Sequence, residues 1–193
     1  MALGGLWLGT VLIGMYLVLA YANSAGKSGS PPRNWPEASL LRHDSKLPTL
    51  VMFLHPQCPC SKATVGELAL LMAHSQGRVA THVFFLQPTE LATNWALTDL
   101  WKESQRIPGV TVQCDYAGRE ARLFGAEASG ETALYDATGR LLFHGGITIS
   151  RGHSGDNLGH DTLQALLMGN PAPSANTSVY GCSLFDCKQE GNP

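Results

Sequence analysis

Charged residues are scarce in this chain, and their scarcity limits what it binds. Lysine, arginine, aspartate and glutamate make up 15% of the 193 residues, against about 25% in an average soluble domain. The formal net charge is −2, and no cluster of lysine and arginine with interleaved aromatic residues occurs. The sequence therefore predicts no nucleic-acid partner, and it contains no motif that calls for a cofactor.

Basic residues are also absent ahead of the first apolar run, residues 2–22, which contains no charge at all. This run reaches the roughly 20 residues that a helix needs to cross a bilayer. Two interpretations compete: a transmembrane anchor, or a signal peptide removed after Ala22 in the pattern Ala20-Tyr21-Ala22. The length favours the anchor, because the apolar core of a signal peptide is usually about 7–15 residues.

The side of the membrane is indicated by two conflicting features. Lys27, Arg33 and Arg42 follow the apolar run, and this charge bias would place the following domain in the cytoplasm. The cysteines instead fit an oxidising compartment, and long domains cross membranes largely regardless of charge. We therefore predict a domain on the extracytoplasmic, periplasmic side, anchored to the membrane, or secreted if cleavage follows Ala22.

The rest of the chain is long enough for one domain of ordinary size. Residues 23–45 are rich in serine, glycine and proline and read as a flexible linker, in which Trp35 is either packed on the domain or exposed. Residues 46–170 form the predicted domain, and residues 171–193 form a tail that loses apolar periodicity and contains two cysteines.

A pair of cysteines follows the most apolar segment of the domain. Residues 51–54 read as a buried strand, which ends at His55 because the residue before Pro56 avoids helical geometry. Cys58 and Cys60 come next, and apolar residues at helical spacing follow them. The free N–H groups at the start of that helix favour thiolate over thiol, and thiolate is the reactive form.

The segment from Phe53 to Lys62 resembles the active-site segment of the thioredoxin superfamily. Aligned on the proline and the lysine, Cys58 takes the place of the attacking cysteine, whereas Ser61 stands where the second cysteine is expected. Cys60 is displaced by one position, so the motif is C-x-C followed by serine. The resemblance implies a catalytic role for Cys58 and Cys60.

The displaced cysteine leaves two pairings open. On a helical turn, residues i and i+2 point to nearly opposite sides, so a Cys58–Cys60 disulfide requires a distorted turn. Such a bond would be strained and easily reduced, which is typical of an oxidant or an isomerase. Alternatively, Cys58 works with a cysteine elsewhere in the chain.

The remaining pattern alternates between strands and helices, which predicts an α/β fold with helices on both faces of the sheet. The predicted elements are a strand over 79–86, a helix over 95–105, a strand over 110–114, a helical turn over 120–124, a hairpin of 132–135 with 141–143, and a helix over 161–168.

This order is similar to the peroxiredoxin/TlpA-type branch of the thioredoxin fold, over about residues 46–170. Segments 113–115, 121–125 and 134–140 resemble the branch's strand ending in aspartate, its short helix and its hairpin. The resemblance implies a central mixed sheet flanked by helices. The family has a cis-proline opposite the attacking cysteine, just before the hairpin, but residues 129–132 of this chain contain no proline. This departure puts substrate docking of the ordinary thioredoxin type in doubt. Features around Cys58, Arg151 and the tail also resemble a RedB-like membrane-anchored group.

A glycine-rich polar loop spans residues 145–159. Its backbone must bend several times, and between the bends it carries Arg151, His153, Asp156 and Asn157. A functional interpretation has Arg151 or His153 stabilise a thiolate or bind substrate at the cysteines. The alternative is an ordinary solvated loop.

Each remaining candidate has a structural alternative. Cys182 and Cys187 either close a small disulfide loop, or one of them resolves a mixed disulfide, or they bind metal. Cys114 is either a buried thiol or a neighbour of the reactive cysteine. His55 and Lys62 either influence the Cys58 thiolate or serve as a strand-end histidine and a solvated lysine.

The sequence thus predicts a membrane-tethered thiol–disulfide oxidoreductase, of peroxidase type in one version. Its substrate would be a protein or small-molecule disulfide, or a peroxide. The first alternative is a copper-binding protein, whose two active-site thiols would hold Cu(I) together with histidines. Those histidines are His55, His144, His153 and His160. The second alternative is a thioredoxin fold that no longer catalyses and serves as an interaction module.

Overall fold

The computed structural model describes residues 2–185, and Cys187 lies outside them. The first helix, α1 (Ala2–Ala22), carries exposed apolar side chains along its length. Its span Leu3–Ala22 is long and apolar enough to cross a membrane, and none of that span is buried in the protein. A helix of this length and composition occurs both in membrane anchors and in signal segments.

The domain alternates strands and helices in the predicted order. Its elements are β1 (Thr49–Leu54), α2 (Ser61–His74), β2 (Ala80–Gln87), α3 (Asp99–Gln105), β3 (Val110–Tyr116), α4 (Arg119–Leu123), β4 (Glu131–Tyr135), β5 (Leu141–Gly145) and α5 (Leu158–Leu167). They form one sheet in the order β3-β2-β1-β4-β5. Strands β1, β2 and β3 are parallel, whereas β4 and β5 are antiparallel to their neighbours, which confirms the predicted mixed sheet.

Strand β1 lies at the centre and is buried on both faces, because its residues alternate between two apolar cores. Leu50, Met52 and Leu54 pack in the core that α2, α3 and α5 cover. Val51 and Phe53 pack in the opposite core, against α4 and segments outside the helices. Helices thus flank both faces, as predicted, and β1 delivers the residues that follow it to one end of the sheet.

Part of the predicted linker packs on the second core. The Trp35 ring lies 4.9 Å from the Phe124 ring and 5.2 Å from the Tyr135 ring, centroid to centroid. Its backbone N–H donates to the carbonyl of Gly139 at 2.7 Å. Of the two interpretations of Trp35, the structure therefore shows packing, and this part of the segment runs along the domain.

Two predicted helix starts are wrong. Helix α3 begins at Asp99 rather than at residue 95, because the buried side chain of Gln87 holds the preceding loop. The side-chain amide of Gln87 accepts a hydrogen bond from the N–H of Ala96 and donates one to the carbonyl of Ala92. A buried amide that satisfies loop backbone groups keeps that loop out of the helix.

Helix α5 begins three residues earlier than predicted, at Leu158. The side chain of Asn157 caps it by accepting the N–H of His160 at 2.9 Å. Asn157 is buried, so it is not displayed by the polar loop as the sequence suggested. Its role is to end that loop.

Candidate functional site

The turn after β1 carries the first two sulfurs of the site. The N–H of Cys58 donates to the carbonyl of His55 at 3.1 Å, and the N–H of Ser61 donates to the carbonyl of Cys58 at 3.1 Å. Helix α2 begins only at Ser61, with Cys60 as its N-cap. Cys58 is 4% exposed and Cys60 is 8% exposed.

The sequence predicted that a Cys58–Cys60 disulfide requires a distorted turn, and this stays a prediction. Both residues precede the first residue of α2, and Cys60, its N-cap, already has helical backbone angles. Their sulfurs lie within 4.8 Å of each other and within 4.8 Å of a third sulfur, that of Cys182. All three cysteines are free thiols.

Cys182 reaches the turn from the C-terminal tail. Its Sγ lies 2.9 Å from the Sγ of Cys58, and its N–H donates to that same sulfur at 3.4 Å. The two residues are 124 positions apart in the sequence. A disulfide between them would need the sulfurs to approach to about 2.05 Å.

Backbone pairing holds the tail in place. The N–H of Ser129 donates to the carbonyl of Cys182 at 2.7 Å, and the N–H of Leu184 donates to the carbonyl of Glu127 at 2.9 Å. Between them, Ser183 forms an antiparallel bridge with Ala128. Leu184 is buried in the second core, so apolar packing anchors this short pairing.

Two serines connect the cysteine turn to the residues before β4. The Ser61 and Ser129 hydroxyl oxygens lie 2.7 Å apart, and Ser129 Oγ accepts the N–H of His55 at 2.7 Å. With Ser129 donating to Ser61, the Ser61 hydroxyl is free to donate to the Cys58 sulfur. Ser61 therefore occupies the second cysteine's place as a hydrogen-bond donor, and Ser129 stands just before the strand where the family's proline is missing.

The donors around Cys58 favour its thiolate. The hydrogen bond from the Cys182 thiol lowers the pKa of Cys58 far below its ordinary value of 9.0, against the opposing effect of burial. The Ser61 hydroxyl and the N–H groups of Cys182 and Cys60 lower the pKa further. The same contact raises the pKa of Cys182, and burial together with the Cys58 charge raises the pKa of Cys60.

Arg151 lies beside the thiols of Cys60 and Cys182. Its Nη1 donates to the carbonyl of Gly181 at 2.8 Å, and its charge opposes the rise in the pKa of Cys60 and of Cys182. The loop of residues 145–159 thus does border the cysteines. The polar loop pattern predicted a role for this arginine at the cysteines, but one of the thiols beside it, that of Cys182, comes from the tail.

Of the other polar candidates, His55 lies close enough to Cys58 for the two to interact electrostatically, whereas Lys62 and His153 are exposed. His55 is buried, its Nδ1 accepts the N–H of Gln57, and burial lowers its pKa. Lys62 is exposed on α2. His153 is exposed, with its Nδ1 2.8 Å from the carbonyl oxygen of Arg151.

The three-sulfur group contains none of the histidines proposed as copper ligands. Cys114 is also outside this group: it lies half-buried on β3 against the first core, and burial raises its pKa. Its interpretation as a core thiol fits this position. The third member of the group is the Cys182 sulfur, from the tail, where the copper-binding alternative predicted histidine side chains.

A buried carboxylate fixes the polar loop to α2. Glu67 Oε1 accepts the N–H of Gly155 at 2.8 Å, while Oε2 lies 3.4 Å from the Asn157 amide nitrogen and 3.1 Å from His160 Nδ1. Glu67 is 2% exposed, so the N–H of Gly155 and the Asn157 amide satisfy carboxyl oxygens that water does not reach. This cluster positions the loop on which Arg151 lies.

We expect Glu67→Ala to lower the free energy of unfolding by about 1–3 kcal/mol, because buried donors lose their acceptor. Urea unfolding of the full chain measures the change. The control is Glu37→Ala, which removes an exposed carboxylate and should change stability by less than about 0.5 kcal/mol. Equal effects of the two substitutions would contradict the role assigned to Glu67.

The comparisons with known proteins bear on the fold. No protein-family model matches the sequence, and no curated protein is significantly similar to it. The structure is similar to that of a hypothetical protein from Sinorhizobium meliloti, with 19% identity over 81% of this chain and 95% of that one, at a TM-score of 0.63. A conserved uncharacterized protein from Geobacillus kaustophilus gives 21% identity, 83% and 91% coverage, and a TM-score of 0.60.

A third similar structure carries a descriptive name. It is the solution structure of a thioredoxin-like protein in the oxidized form, which matches 75% of this chain and 98% of that one at 12% identity and a TM-score of 0.50. Identities this low establish the fold alone. The finer assignment to the peroxiredoxin/TlpA-type branch stays a prediction. The strand order, the cysteine turn after β1 and these similarities together show that the chain has a thioredoxin-like fold.

Proposed function

We propose that the protein is a membrane-tethered thiol–disulfide oxidoreductase whose redox pair is Cys58 and Cys182. The observation that carries this proposal is the 2.9 Å separation of their sulfurs, held by backbone pairing on both sides of Cys182. This arrangement supports the second of the two pairings left open by the C-x-C motif, in which the partner of Cys58 comes from elsewhere in the chain.

The exposure of the two sulfurs indicates where exchange takes place. Cys58 is 4% exposed, whereas Cys182 is partly exposed. In the oxidised form, a substrate thiolate therefore attacks Cys182 Sγ in line with the Cys58–Cys182 bond. A bond forms between the substrate sulfur and Cys182, the old disulfide breaks, and Cys58 leaves as a thiolate with the bonding electron pair.

A second substrate thiolate completes the reaction. It attacks the substrate sulfur of the mixed disulfide, so the substrate disulfide forms and Cys182 leaves with its electron pair and then takes up a proton. Two electrons have moved from the substrate dithiol to the Cys58–Cys182 pair. A disulfide oxidant must remove them again before the next turnover.

The hydrogen bonds at Cys58 favour this oxidising direction. The Ser61 hydroxyl and the N–H groups of Cys60 and Cys182 stabilise the leaving thiolate, and stabilising the reduced form makes a disulfide a stronger oxidant. The peroxidase version requires peroxide to reach Cys58 Sγ itself, which the tail covers. Exchange with substrate dithiols therefore fits the site better than peroxide reduction.

The proposed location is the extracytoplasmic face of a membrane. The carbonyl of Ala22, at the end of α1, accepts the N–H of Arg151 at 2.9 Å, and the Arg151 guanidinium lies 5.1 Å from the Tyr21 ring centre. A membrane-spanning α1 would thus place the sulfurs close to the bilayer surface. A redox disulfide is maintained in an oxidising compartment, which supports the extracytoplasmic side.

Disulfide mapping combined with turnover tests the proposal. After mild oxidation of the full chain, mass spectrometry should find Cys58 linked to Cys182, and the oxidised protein should convert a dithiol peptide to its disulfide. Cys58→Ser should abolish this conversion, and Cys114→Ser is the control because Cys114 lies outside the sulfur group. A dominant Cys58–Cys60 bond, or conversion that survives Cys58→Ser, would overturn the assignment.

A further inference from the structure

The sulfurs of Cys58, Cys60 and Cys182 form a cluster at which one ion can be bound. They all lie within 4.8 Å of one another, and those of Cys58 and Cys182 are 2.9 Å apart. Thiolates bind zinc at about 2.3 Å, so three sulfurs in a trigonal arrangement around one ion are about 4 Å apart. Binding therefore requires the Cys58 and Cys182 sulfurs to move apart by about 1 Å. We infer that the reduced protein binds one Cu(I) ion through these three sulfurs.

The donor set selects the metal. Thiolates are soft ligands and favour Cu(I) over hard cations such as Mg²⁺ or Ca²⁺. Structural zinc sites almost always have four ligands, whereas this group, among residues 2–185, contains three cysteines and no histidine or carboxylate. A three-sulfur site therefore fits Cu(I) better than Zn²⁺.

The surroundings of the sulfurs suit an anionic metal centre. Three thiolates around Cu(I) carry a net charge of −2, and the Arg151 guanidinium hydrogen-bonds to the Cys60 sulfur. The N–H of Cys182 and the hydroxyl of Ser61 donate to the Cys58 sulfur. Such outer contacts orient the ligands of metal sites and tune their affinity. Cys58 and Cys60 are buried, which limits the access of water to the ion.

Metal binding and disulfide exchange use the same sulfurs and exclude each other. Cu(I) requires the reduced form, in which each thiol that is still protonated releases its proton on binding, with no change in oxidation state. Formation of the Cys58–Cys182 disulfide removes two of the three ligands and releases the ion. Cys60 is the ligand that distinguishes the site, because the proposed redox pair does not include it.

Anaerobic titration of the reduced full-chain protein with Cu(I) tests the inference. Competition with the chromophoric chelator bicinchoninate should give one Cu(I) per chain. Cys60→Ser should weaken binding by more than about 10-fold, the lower bound for the loss of an outer partner. Cys114→Ser should bind as the wild type does. Binding unaffected by Cys60→Ser, or no retention of Cu(I) against the chelator, would overturn the inference.

Two further measurements keep the result independent of folding and of the proposed redox function. X-ray absorption of the wild-type complex should show three sulfur ligands; two sulfurs, or a site that accepts only Zn²⁺, would contradict the inference. Disulfide mapping of Cys60→Ser should still find the Cys58–Cys182 bond. A chain that forms this bond but binds no Cu(I) refutes the metal site alone, whereas a chain that binds Cu(I) but forms no such bond refutes the redox pair alone.

Discussion

Replacing Cys182 by serine is expected to reduce the oxidation of a dithiol peptide by at least about 100-fold. The wild-type tail holds the Cys182 sulfur 2.9 Å from that of Cys58, so disulfide formation is an intramolecular reaction between prepositioned groups. In the variant, among residues 2–185, Cys60 is the cysteine whose sulfur remains within 4.8 Å of the Cys58 sulfur. Turnover measured with excess oxidant and peptide gives the size of this effect.

Cys182→Ala should make Cys58 less acidic. The Cys182 thiol is the largest contributor to the low pKa of Cys58, and alanine at 182 removes that donor, whereas serine would put a hydroxyl donor in its place. The pKa of Cys58 in metal-free protein should therefore rise, so that less thiolate is present at acidic pH. Alkylation of Cys58 as a function of pH, followed by peptide mapping, measures the shift. An unchanged profile would contradict the assigned hydrogen bond.

A cysteine moved by one residue provides the matched control. The double variant Cys182→Ser, Ser183→Cys keeps the cysteine count and the length of the tail. Because Ser183 bridges to Ala128 in an extended pairing, neighbouring side chains point to opposite faces, and the sulfur introduced at position 183 would turn away from Cys58. Turnover should stay low in the double variant. Restoration of turnover by the moved cysteine would show that tail flexibility, rather than register, brings the sulfurs together.

The fold is largely visible in local sequence patterns. Buried parallel strands such as β1 and β2 are continuous apolar runs, and helices such as α2 show apolar residues at helical spacing, so both types of element were predictable. The errors occur where a buried polar side chain determines a boundary. Gln87 holds the loop before α3, and Asn157 caps α5, and neither contact is encoded in apolar periodicity.

The candidate site was predictable only in part, for a similar reason. Cys58 and Cys60 follow a recognisable strand and turn, but the position of Cys182 depends on Leu184 entering the second core. That contact joins segments far apart in the chain, and the tail has no period that indicates it. The sequence around Ser129 did not indicate a functional residue either. The Ser129 hydroxyl meets Ser61 only because β4 pairs with β1. Long-range packing, rather than local propensity, completes the sulfur group.

Gly181→Ala is expected to have the second large effect, also about a 100-fold loss of dithiol-peptide oxidation. A Cβ atom at Gly181 would overlap the carbonyl oxygen of Ser129, and backbone cannot yield as a flexible side chain does. The pairing between residues 127–129 and the tail must therefore open at this point. A displacement of about 1 Å at a reacting group is enough to lower a rate by about 100-fold.

The control for this variant is Gly66→Ala, on α2. A Cβ at Gly66 meets only the Ser154 hydroxyl, at 3.7 Å, which is ordinary contact. Alanine also favours the helix by about 1 kcal/mol over glycine. Gly66→Ala should thus keep full turnover and wild-type or higher stability. A loss of turnover in this control would mean that the site tolerates no change near α2, and that Gly181 is not special.

Accessibility of Cys182 separates a displaced tail from an unfolded domain. In Gly181→Ala the two cores remain, apart from the anchor at Leu184, so urea unfolding should stay cooperative while Cys182 becomes more reactive to alkylating reagents. Cys58 should form less disulfide with Cys182 on mild oxidation, because the two sulfurs no longer meet. Wild-type turnover with unaltered alkylation of Cys182 would show that the tail reaches Cys58 without the close approach at Gly181, and the placement of the redox pair would then need another cause.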